Sequence, residues 1–156
     1  MTFLKNSLPP SCTKPYEADY YHWITATVQK LQEQDWEAID WENLIEEVED
    51  LGRRQKRKLE SLLTRLLEHL LKLKYWHSES DRNANHWKTE ILTFRKQIAK
   101  ELQDSPSLRP YLNSMVPELY GDAQELVATR SNLPLATFPA TIEASLEEIL
   151  DPQWFL

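Results

Sequence analysis

A chain of 156 residues with two glycines and one cysteine excludes turn-rich β architecture, glycine-loop nucleotide chemistry and an intramolecular disulfide. Its net charge of −7 disfavours nonspecific attraction to nucleic acid or anionic lipid. No stretch approaches the roughly 18 apolar residues of a membrane span. The abundance of Leu, Glu, Lys and Gln points to an all-α fold, and the length suits one domain with a real core.

Residues 1–15 hold three prolines among small polar residues and are expected to form a loose N-terminal arm ahead of a single helical domain over residues 16–156. The first ten residues carry one lysine and no apolar run of signal-peptide length, so a soluble cytoplasmic chain is expected. A first helix is expected over residues 16–34. There Tyr20, Trp23, Ile24, Thr27, Val28 and Leu31 share one stripe, and Glu17 and Asp19 suit the positive helix N-terminus.

Asp40 is a good N-cap for the next helix, whose stripe is Leu44, Ile45, Val48 and Leu51. Gly52 either interrupts that helix or sits inside it at a cost of about 1 kcal/mol. Continuity would carry the helix to near Trp76, with Leu59, Leu62, Leu63, Leu66, Leu67, Leu70, Leu71 and Leu73 as a broad apolar face. Residues 77–83 read as a polar loop. A further helix is expected over residues 84–103 through Trp87, Ile91, Phe94, Ile98 and Leu102.

Ser105-Pro106-Ser107 is a stop and a restart. Short helices are expected over residues 108–115 and 117–129, divided by Pro117, then a proline-rich loop over 132–139 and a last short helix over 141–150. The apolar end Trp154-Phe155-Leu156 is expected to fold back onto the body. The expected architecture is a single-domain helical bundle: two or three long antiparallel helices, with short C-terminal ones.

Charge is sorted by segment. Residues 17–50 carry eleven acids and one base, and residues 53–74 eight bases and two acids. Both stretches have helical spacing, so they are expected to pack side by side and offset one another. Within them, Glu42, Glu46 and Asp50 lie four apart, with Asp40, Glu47 and Glu49 nearby. A di-metal carboxylate bundle would add Glu-x-x-His, which does not occur, so an arginine-paired or solvated face stands beside a metal or catalytic role.

Arg65 and His69, four apart among leucines, read as a boundary polar cluster or as a ligand or acid–base pair. Asp19 and His22, three apart, suit a local hydrogen bond. Arg53, Arg54, Lys56, Arg57 and Lys58 read as ion-paired or as an anion patch, without the interleaved aromatics of base stacking. Cys12 has no neighbouring base. No catalytic residue, metal site or cofactor is assigned.

The ordered motifs Asp19-Tyr20-Tyr21-His22-Trp23, then Asp40 with Leu44-Ile45-Glu46-Glu47 and Leu51, then Arg65-Leu66-Leu67-x-His69-Leu70-Leu71-Lys72, then Trp87, Ile91 and Arg95, then Ser105-Pro106-Ser107-Leu108 resemble domain-of-unknown-function family 29. The resemblance covers residues 16–150 and shows no clear departure from the family pattern. It implies a bacterial protein, of a family abundant in cyanobacteria, with an all-helical domain and no established activity. The pattern maps onto Asp19, Trp23, Asp40, Glu46, Glu47, Arg65, His69, Trp87 and Arg95.

Arg65 and Arg95 are expected to meet Asp40, Glu46 or Glu47 in a partly buried network with His69 at its edge. The expected function is a non-enzymatic interaction or adaptor module with a protein partner or a second copy, away from membranes. A metal- or acid–base-dependent enzyme using Glu46, Glu47 and His69 is the alternative. Nucleic-acid binding through the basic block is third and disfavoured.

Overall fold

The computed structural model describes residues 15–156. The protein is all-α. The helices are α1 (Pro15–Ala18), α2 (Tyr20–Gln32), α3 (Trp41–Tyr75), α4 (His77–Asp104), α5 (Arg109–Ser131) and α6 (Leu146–Leu150), and the described residues contain no strand. The expected N-terminal arm lies outside the described residues, apart from Pro15, which opens α1. Two compact units divide the chain, Met1–Leu51 and Gly52–Leu156.

In the first unit the break between α1 and α2 is Asp19, whose Oδ1 accepts from the His22 backbone N–H at 2.9 Å. That short acidic side chain satisfies an amide the helix itself leaves orphaned. The Asp19–His22 spacing therefore marks a cap. Trp23 and Thr27 bury one face of α2. Gln34 takes a left-handed φ of 59° to leave the helix. Asp40 caps α3 as expected, accepting from the Asn43 N–H at 3.3 Å and from Asn43 Nδ2 at 2.6 Å.

The second unit holds the main core. Paired side chains give its direction. Gln55 bonds Ser105, Lys58 pairs with Glu101, and the His69 ring packs on Phe94. Partner numbers fall as α3 advances, so α3 and α4 are antiparallel. Glu60 accepts from Tyr111 and Glu68 from Arg130; these numbers rise together, so α5 runs in the direction of α3. Leu59, Leu63, Leu66, Leu67, Leu70 and Leu71 of α3 are all but fully buried, with Ile91, Ile98 and Leu102 of α4 and Leu112, Ala123 and Val127 of α5. Each such leucine contributes about 1.5–3 kcal/mol of burial.

α3 is continuous through Gly52, the second of the two alternatives the sequence leaves open. Several expectations change. The acidic stretch is expected to pack side by side with the basic one; instead its residues 41–50 precede the basic stretch on a single element. A helix rising about 1.5 Å per residue cannot fold them together. Residues 77–83 are helical: Asn83 Nδ2 returns a bond to the Glu79 carbonyl at 3.1 Å and Ser80 Oγ one to that of His77 at 3.2 Å. The connection between α3 and α4 shrinks to Trp76, which stacks on Trp87 at 5.9 Å. An exposed first turn carries no apolar period, so it reads as a loop.

Pro117 lies inside α5 instead of dividing two short helices. It is exposed, and the carbonyl it leaves unbonded belongs to exposed Asn113 and can be hydrated. Buried Leu112, Val116, Leu119 and Tyr120 carry the packing across it. The stretch 132–139 includes a 3₁₀ turn at Leu135–Thr137, and Phe138 beside it is buried. α6 is shorter than expected and opens on a reciprocal Ser145–Glu148 capping box. Trp154 and Leu156 fold back onto the core, as expected.

Candidate functional site

In the first unit, Glu47 is the one buried member of the carboxylate run; Glu42, Glu46 and Glu49 are exposed. Tyr16 and Tyr20 each donate a phenol O–H to one oxygen of Glu47, both at 2.5 Å. Tyr16 also meets Trp23 edge to face at 4.9 Å. The hydrogen bond to Glu47, then desolvation and the negative charge of Glu47, push the Tyr16 phenol up to about 12. Two donors on two oxygens tie α1 and α2 to α3 and hold the carboxylate in place. The tyrosine share of this cluster was not legible in advance, since Tyr16 is thirty-one residues from Glu47.

Arg65, Arg95 and His69 lie in the second unit. Arg65 is exposed, and its backbone carbonyl lies 2.7 Å from His69 Nδ1. Arg95, expected to meet acids of α3, is buried and donates instead to backbone carbonyls of the C-terminal segment. Nε reaches Ile149 at 2.9 Å, Nη1 Pro152 at 3.4 Å and Nη2 Trp154 at 2.6 Å. Phe155 lies over the guanidinium. The planar fork suits three carbonyls at once. Desolvation lowers the Arg95 pKa and the Asp151 charge opposes that. His69 is half-buried, and desolvation is the largest effect lowering its pKa.

A second buried carboxylate, Glu68, pairs with Lys72 at 2.6 Å and with Arg130. The Glu68–Lys72 spacing of four was visible in the sequence; the reach of Arg130 from α5 was not. Among the described residues, no group of three or more His, Cys, Asp and Glu side chains converges as a metal site.

The basic block is engaged in several ways. Lys58 pairs with Glu101 at 2.5 Å and Lys56 lies over the Tyr111 ring. Arg53 and Arg54 engage groups of their own chain, as do Glu49 and Asp50. Arg57 is exposed.

Exposed large hydrophobics concentrate in the first unit. Tyr20, Tyr21, Val28, Trp36, Trp41, Ile45, Val48 and Leu51 are exposed there, against Leu92, Leu126, Leu135 and Phe155 in the larger second unit. Trp41, Ile45 and Val48 are spaced four and three apart and so form one stripe along α3.

The family model described as Domain of unknown function DUF29 matches residues 15–155. The chain belongs to that family. No curated protein and no solved structure matches it. In this DUF29 chain the motif residues do local structural work where their partners are seen: Asp19 and Asp40 cap helices, Glu47 receives two phenols, and Arg95 holds the C-terminal segment. Among the described residues no helix is long and apolar enough to cross a membrane.

Proposed function

We propose that the chain is a non-enzymatic protein–protein interaction module that engages its partner through the unit ending at Leu51. The observation that carries this reading is the open apolar stripe of α3. Ile45 and Val48 are 56% and 60% exposed and sit one turn apart beside half-exposed Trp41. Scattered surface hydrophobics are ordinary, but a continuous row on a helix face marks an interaction site. Trp is also among the residues that most often anchor interfaces.

The chemistry of the polar residues agrees. Both Glu47 oxygens already accept phenol protons, and Arg95 is spent on backbone carbonyls. These groups are organised to hold helices.

Affinity capture from the native host tests the reading, with retained proteins identified by mass spectrometry. The chain is expected to retain a discrete protein, and the double variant Ile45→Glu, Val48→Glu to lose it. A native chain that retains nothing, or a variant that retains the same protein equally well, ends this reading.

A further inference from the structure

We propose that the Trp41–Ile45–Val48 face of α3 is a homodimer interface, covered by the same face of a second copy running antiparallel. This rests on the interaction-module reading and narrows the partner to the chain itself.

The first observation is one of phase. Stepping on from Val48 by fours and threes leads through Gly52 and Gln55 to Leu59, Leu63, Leu66 and Leu70. Those four leucines are at most 1% exposed. One face of a single helix is therefore core-like along its C-terminal half and keeps the same apolar register, uncovered, along its N-terminal half. A stripe built in core register and left open calls for a cover.

The second observation is charge. α3 begins with acids, among them Glu42, Glu46 and Glu49, and turns basic from Arg53. A parallel copy in register would set acid on acid. An antiparallel copy crossing at Val48 sets Val48 on Val48 and places Ile45 opposite Leu51 and Gly52. It brings Glu42 opposite Arg53 and Lys56, and the two-fold repeats each contact. Arg53 already engages its own chain, but five guanidinium donors can take a second carboxylate. The opposite charge blocks, which one helix cannot fold together, then meet between copies.

The third observation is Gly52. A Cβ built there would meet nothing within 4 Å, so packing inside the chain does not account for a glycine in mid-helix. Opposite Ile45 of the second copy, the missing side chain lets the two helices approach closely.

The test uses the full chain with Cys12→Ser, which removes the single native thiol. Sedimentation is expected to give about twice the 18.5 kDa chain mass as concentration rises. Val48→Glu is expected to return the monomer with unchanged helical circular dichroism, because Val48 is exposed. Val48→Cys is expected to form a disulfide-linked dimer on mild oxidation, since the two copies meet at that residue. Glu42→Lys should weaken the dimer several-fold, and adding Arg53→Glu and Lys56→Glu should recover it.

A native chain that stays monomeric overturns the proposal. So does a dimer that Val48→Glu leaves intact, or one that Val48→Cys does not cross-link. The broader reading survives any of these results if the host capture still yields a different protein that the face variant loses. It falls only with the capture itself.

Discussion

Arg95 Nη2 donates to the Trp154 carbonyl at 2.6 Å, across fifty-nine residues of sequence. Its Nε reaches Ile149 on the same segment at 2.9 Å, so one guanidinium fixes both the end of α6 and the strand of chain beyond it.

Replacing Arg95 with leucine should leave those carbonyls without their donor. Buried groups left unpaired cost about 1–3 kcal/mol each, so a loss of roughly 2–4 kcal/mol is expected in urea unfolding. Arg95→Lys should recover little, because a point charge cannot span three carbonyls. Faster proteolysis near Trp154 in both variants would accompany the loss. A lysine variant as stable as the native chain would show that charge alone suffices.

Glu68 is 3% exposed and Lys72 7% exposed. Removing the carboxylate strands the buried ammonium, and breaking such a pair costs about 3–5 kcal/mol. Glu68→Ala should therefore lose about that much stability. Arg130→Ala should lose less, since the Arg130 side chain is half exposed. Equal losses for the two would mean that Lys72 is not the group that suffers.

His69 gives a pH signature. Burial, the largest effect on it, lowers its pKa below the ordinary 6.5, while the carbonyl of Arg65 opposes the shift. The unfolded chain then takes up the proton before the folded chain does. Stability from this group is present above pH 6.5 and falls as the pH drops through the ordinary histidine range toward the lower folded value. His69→Gln should flatten that part of the stability–pH curve between neutral and mildly acid pH. A variant curve parallel to the native one would exclude His69 as its source.

Gly52→Ala places a methyl in open space on the monomer. Alanine is favoured over glycine in a helix by about 1 kcal/mol, so the variant should unfold later in urea by about that amount. It should also associate more weakly than the native chain if Ile45 of another copy docks there. A variant less stable than native, at a concentration where both are monomers, would mean that α3 needs a flexible point at Gly52.

What the sequence made legible follows from how far each interaction reaches. The leucine face of α3, the stripe of α4 and the cap at Asp40 depend on residues three or four apart, and all were readable; the local Asp19–His22 bond was readable too, but not the helix break that Asp19 caps. The start of α4 at His77 was not, because its first turn is solvated and carries no apolar period. Pro117 gave a local signal that tertiary packing overrode. Among the polar residues, Glu47 was named beside Asp40 and Glu46 as a partner for arginine, but its tyrosine donors were not readable. Arg95 was singled out, yet its partners are carbonyls on a distant segment. Neither spacing nor composition encodes such a pairing.

The single-residue joint at Trp76 has a kinetic consequence. It makes α3 and α4 immediate neighbours in the chain, so their mutual contacts close small loops at low entropic cost. We expect the α3–α4 hairpin to form early during refolding, with the α3–α5 contacts and the Arg95 contacts, which reach across sixty-two and fifty-nine residues, closing later. Truncations after residue 131 should then still collapse quickly, while lacking the slow gain in protection from hydrogen exchange that the Arg95 contacts bring.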